Sequence, residues 1–181
     1  MAEITHSTRT TPRPYRSRKG SFTVWEYTAS TAISTAVIRY GDVVQFDVNT
    51  GAASHKIVKS STMANVPNVV STALIGIAAS GSTGDGSTST EKISVYLADS
   101  HTEFIFPTKA TGAVHTSTLV DRRKAIGYDS TLGMFYVDTG NSTAGDASVV
   151  ITEVIDPGTT NGFVAAKFIS TSVARSVSGS L

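Results

Sequence analysis

The chain alternates apolar and polar positions in short runs, and it rarely keeps one period for more than eight residues. In SFTVWEYTA, Phe22, Val24 and Glu26 fall on one side and Thr23, Trp25 and Tyr27 on the other, which predicts a strand with both faces partly covered. In GDVVQFDVN, Val44, Phe46 and Val48 oppose Gln45 and Asp47, and Asn49-Thr50-Gly51 closes the strand with turn chemistry. HKIVKS predicts a short strand with polar edges. ALIGIAA is apolar throughout and reads as a buried central strand, with a short helix as the alternative. In KISVYLAD, Ile93, Val95 and Leu97 alternate with Ser94, Tyr96 and Ala98. HTEFIFPT places Thr102, Phe104 and Phe106 on one face, so these two segments form a hairpin or two consecutive strands at a bend. Pro107 has no N–H for a ladder and is expected to end the second of them.

Further strands are expected on both sides of the Asp129–Gly133 turn and in ASVVITEVID, where Val150, Thr152 and Val154 share a face. NGFVAAKFIS follows Asn161-Gly162, a strong hairpin turn signal. Residues 80–90, 141–146 and 172–181 are polar and read as loops and a tail. Eight to ten short strands without a long helix predict a mainly β protein, a small barrel or sandwich. No exact sequence repeat is visible.

Composition supports that reading. Ser and Thr supply 50 of 181 residues and Gly 15, which favours strands and turns over helices. Cysteine is absent, so disulfides and thiolate metal sites are excluded. Residues 1–20 lack the apolar core of a signal peptide, and no run is long enough to span a bilayer as a helix.

The net charge of +1 hides an asymmetry. Residues 1–24 carry Arg9, Arg13, Arg16, Arg18 and Lys19 against Glu3, a net of +4. Residues 25–181 carry ten bases and thirteen acids, a net of −3. The expected organisation is a flexible basic arm, 1–21, on a β-rich body, 22–181. Pro12 and Pro14 keep the arm extended, and its few apolar residues leave it mobile until it meets an acidic or polar surface. Tyr15 is its aromatic anchor. Trp25, the single tryptophan, is either a core residue at the rim or part of a contact surface.

Candidate chemistry is sparse. His6, His55, His101 and His115 form no metal-ligand spacing. GSTGDG lacks the Lys-Ser/Thr and the strand–loop–helix context of a phosphate loop, and no GxSxG is present. Asp121, Asp129, Asp138, Asp146 and Asp156 sit at loop edges, where turn capping accounts for them better than calcium binding or paired catalysis. Arg122, Arg123 and Lys124 read as a solvated face. No enzyme, metal or cofactor is expected, and the acidic body argues against nucleic acid.

Several segments taken together resemble the head decoration (cement) proteins of tailed bacteriophages. They are the polar arm, GDVVQFDVN, STALIGIAASG with its Gly/Ser loop, KISVYLADSHTEFIFPT and the strand-rich C-terminal part. The resemblance spans roughly residues 37–170. It implies a β-tulip-like body and a homotrimer or homodimer on the outer surface of a viral capsid. The partner would be the major capsid protein, bridged to stabilise the expanded shell, with no nucleic acid or membrane partner. The protein would be made in the host cytoplasm and carried in the virion. The family has no catalytic residues to carry over. Contact candidates are Arg9, Arg13, Tyr15, Arg16, Arg18, Lys19 and Trp25. A tail or baseplate β-domain is the alternative implied. A carbohydrate- or nucleic-acid-binding module would need exposed aromatics beside the Asp-rich loops, or a continuous positive groove.

Overall fold

A computed structural model of the chain describes residues 11–29, 37–47, 56–59, 74–82, 91–99, 101–109, 117–129, 131–140, 147–155, 157 and 162–169. Most of the 80–90 loop, the 141–146 loop, Asn49 to Gly51, Asn161, the 172–181 tail, Arg9, His6, His55 and His115 lie outside the described residues.

Eleven strands are described: β1 (Arg13–Ser17), β2 (Val24–Ala29), β3 (Val43–Phe46), β4 (Lys56–Lys59), β5 (Leu74–Ala78), β6 (Lys92–Leu97), β7 (Thr102–Lys109), β8 (Arg123–Asp129), β9 (Met134–Asp138), β10 (Val149–Val154) and β11 (Phe163–Phe168). A short 3-10 turn at Ser117–Leu119 is the one helical element among the described residues. The fold is mainly β. Strands β2-β4-β3-β5-β6 close into a five-stranded barrel. The other six form a sheet in the order β1-β7-β11-β10-β8-β9, and a further β7–β9 pairing links its far strand back to β7.

The two halves share one connectivity. In the first half, the opening strand β2 pairs parallel with the third, β4, and antiparallel with the last, β6. The remaining ladders, β3–β4, β3–β5 and β5–β6, are antiparallel. In the second half, β7 pairs parallel with β9 and antiparallel with β11, and β8–β9, β10–β8 and β10–β11 are antiparallel. The registers match as well. Trp25 pairs with Val95, and Val95 with Ala78, as Phe104 pairs with Ala166, and Ala166 with Ile151. Phe46 pairs with Ile57 as Ile126 pairs with Val137. The repeat is therefore one of pairing and apolar position, which leaves side-chain identity free and escapes a search for repeated letters.

Most strands bury what their alternation predicts. In β10, however, a bulge between Ile151 and Glu153 shifts the register, so Val154 joins Val149 and Ile151 on the core side and Val150 lies on the other face, against the expectation that Val150, Thr152 and Val154 share one. Val44, Ile57, Ile93 and Val95 form the core of the first barrel with Ala29, Ile38, Ile75 and Ala78. Phe104, Phe106, Ile126, Phe135, Val137, Ile151, Val164 and Phe168 form the core of the second half, and Val43, Leu74, Ile77 and Ala98 from the first half join it. One half thus packs over the other. This is why every residue of β5 is buried and why Gln45 and Asp47, opposite the core face of β3, are buried too.

Two further expectations change, and one open alternative is decided. Residues 13–17 belong to no free arm: β1 pairs antiparallel with β7 through Arg13↔Ile105, Pro14↔Phe104, Arg16↔Glu103 and Ser17↔Thr102. The body's own acidic edge supplies the surface that orders them. Of the two arrangements expected for KISVYL and TEFIFPTK, the structure has the consecutive strands and not the hairpin, with β6 and β7 in different sheets. Pro107 does not end β7, which runs on to Lys109. The Thr108 N–H bonds to the Gly162 carbonyl on the β11 side, so by alternation the nitrogen of Pro107 faces the other edge. There it meets the gap between β1, whose pairing stops at Ile105, and β9, whose pairing starts at Thr108.

Candidate attachment surface

The surface starts from β1, an edge strand whose composition suits an edge. Proline is tolerated there because one side of the strand has no ladder to supply. Arg16 fastens it. Its guanidinium donates to Glu103 at 2.7 and 2.8 Å and lies 2.9 Å from Glu153. Lys167 reaches Glu103 from the other side at 3.3 Å. Burial alone would raise the Glu103 pKa, but hydrogen bonds and charge from Arg16 and Lys167 outweigh it and hold the carboxyl below its ordinary value. Arg16 also stacks over the Tyr15 ring, 4.8 Å from its centroid.

The strand's end is tied to the segment joining the two halves. The Arg18 N–H donates to the His101 carbonyl, and Lys19 Nζ lies 3.6 Å from Asp99. Burial acts to raise the Asp99 pKa, yet bonds from Thr102 and the His101 backbone, with the Lys19 charge, bring it below the usual range. Gly20, at φ 77, then turns the chain toward β2. Phe22 packs edge-on against Tyr96, 6.1 Å between centroids.

Of the sequence candidates, Arg16 and Lys19 therefore hold the chain to itself. Arg13, Tyr15, Arg18 and Trp25 are exposed, and Arg9 lies outside the described residues. Trp25 is 53% exposed, at the end of the first barrel's inner face, so it is no core residue. Sequence reasoning missed Phe22 and Val24 as surface residues. Tyr15, Phe22, Val24 and Trp25 are four of the six exposed large hydrophobics among the described residues, Tyr40 and Leu132 being the others. Alternation could not reveal this, because a strand that lacks a covering neighbour has the same pattern as one that has it.

A second polar cluster lies where the two halves meet. Lys59, nearly buried, is 3.3 Å from Asp42, donates to the Tyr128 hydroxyl at 2.9 Å and lies over the Tyr128 ring at 4.4 Å. Burial raises the Asp42 pKa, opposed by Lys59 and the Arg39 N–H. Two of the described loop-edge aspartates cap turns. Asp129 accepts the Thr131 and Leu132 N–H groups, and Asp138 accepts that of Gly140. No group of three metal-ligating side chains occurs among the described residues. Arg122 and Arg123 are exposed, whereas Lys124 is buried.

No protein-family model, curated protein or solved structure matches the chain.

Proposed function

We propose that the chain is a capsid decoration (cement) protein with a β-tulip-like body, which binds the outside of a viral head and bridges major capsid proteins. The observation that carries this reading is the concentration of exposed apolar side chains in residues 15–25, beside the exposed bases Arg13 and Arg18. Attachment by a broad surface needs apolar anchors rimmed by charge, and no convergent catalytic group is required for it. The reading differs from that of a free arm in one respect. Tyr15 and its neighbours are presented by a strand fixed to the body, so docking orders fewer residues and costs less entropy.

The test is binding to empty expanded shells, with a variant carrying Arg13→Glu, Tyr15→Ser and Arg18→Glu. Arg13 and Tyr15 project from the edge strand and Arg18 lies just past its end, all three exposed, and the variant keeps the Arg16 fastening. The wild type is expected to bind in a copy number set by the shell's symmetry, and the variant to lose affinity by about a hundredfold. A wild type that leaves expanded shells bare ends the proposal.

A further inference from the structure

The duplicated connectivity exposes a difference between the halves. On β7, residues Thr102 to Ile105 are covered along one edge by β1. The matching stretch of β2, by the shared register, is Thr23 to Glu26. Among the described residues nothing pairs with it there, since β4 joins that edge only at Thr28 and Ala29. The consequence is large. Trp25 is 53% exposed where its counterpart Phe104 is fully buried, and Val24 is 47% exposed where Glu103 is 8%.

The backbone groups at this edge can be assigned. The Leu97 N–H donates to the Thr23 carbonyl, and the Ala29 N–H to the Glu91 carbonyl. The odd-numbered residues of β2 therefore face β6, and Val24 and Glu26 turn their N–H and C=O groups to the open edge. An edge with unmet donors and acceptors, flanked by apolar side chains, is a site for strand addition.

We propose that the occupant is β2 of a second copy, paired antiparallel about a two-fold axis at Val24. Three features favour it. First, the geometry closes: Val24 and the partner's Val24 form a hydrogen-bonded pair, with Phe22 opposite the partner's Glu26 and Trp25 opposite the partner's Thr23. Glu26 thus never faces its own copy, and no like charges are opposed. Second, the length fits. The pairing runs from Phe22 to Glu26 and stops where β4 occupies the edge, whereas a longer added strand would collide with β4. Third, Phe22 and Val24 lie on one face of the seam and Trp25 on the other, so both faces gain apolar cover. The pairing is isologous and closed, which caps the edge in both copies. The pairing covers Phe22, Val24 and Trp25 and leaves Tyr15, Arg13 and Arg18 as the attachment face, and because it requires no shell it is tested separately from shell binding.

The experiment measures the mass of the full chain in solution by sedimentation, for the wild type and for Val24→Lys and Val24→Glu separately and mixed. The wild type is expected to dimerise. Each variant alone should weaken the dimer by more than about tenfold, because like charges face each other across the axis, and an equimolar mixture should restore it. A wild type that stays monomeric at its highest soluble concentration overturns the proposal, as does an oligomer indifferent to both charges. Hydrogen exchange on the wild type gives a check independent of any variant's folding. The Val24 and Glu26 amides should become protected as concentration rises, and concentration-independent exchange at both also overturns it.

Discussion

Lys59 shows how one residue can hold two halves together. Its ammonium sits between Asp42 of the first half and the Tyr128 ring and hydroxyl of the second. A lysine so deep in the fold is tolerated only with partners. Lys59→Ala leaves the Asp42 carboxylate buried without its cation. It is expected to cost about 3–5 kcal/mol in urea denaturation. Pairing Lys59→Met with Asp42→Asn removes both charges and should recover much of that loss. If the double variant is no more stable than Lys59→Ala, the ion pair is not what sets the cost. Gly76 is a second residue whose identity is forced. Its φ of 158 and the nearby Tyr96 carbonyl leave no room for a side chain.

At the scale of elements, β1 changes what a truncation means. Removing residues 1–10 takes nothing from the described ladders, so the body should keep its stability. Removing residues 1–19 strips β1, uncovers Phe104 and Ile105 along the β7 edge and leaves Glu103 with Lys167 alone. That deletion is expected to cost a few kcal/mol, by lost apolar burial and lost pairing. Thermal unfolding of both deletions checks this, and equal melting temperatures would show that β1 adds nothing to the body. A free arm would have made the two deletions alike.

At the scale of the molecule, the acid response follows from the paired carboxylates. Burial works to raise the Glu103 pKa, but its two cations bring it below the ordinary value, and Asp99 behaves in the same way. A lowered folded-state pKa contributes stability that is present above the unfolded value, near 4. It is lost as pH falls through the lowered folded values. Asp42 acts oppositely. Burial raises its pKa, so protonation on acidification relieves a cost and offsets part of the loss. The net expectation is a fall in stability as pH drops below about 4, shallower in Glu103→Gln. Denaturation midpoints measured across that range test it. A variant as acid-sensitive as the wild type would show that Glu103 is not a source of the fall.

Much of the β character was determined by the sequence alone. The alternation in KISVYL and in TEFIF assigns the core-facing residues correctly, because a strand's side-chain period of two survives any packing. The turn at Asp129 to Gly133 was legible too, since Asp caps and Gly at φ 64 are local chemistry. The attachment candidates were legible only as residue types. Whether Arg16 meets a partner or Glu103, and whether Trp25 is core or surface, depends on strands 70 to 90 positions away in the chain. Tertiary structure alone decided that the basic segment is a strand of the body, that Pro107 falls in a gap between two neighbours, and that two halves with unlike letters share one connectivity. The physical reason is that alternation specifies which face of a strand is apolar, while its edges carry only backbone, which is the same in every residue except proline.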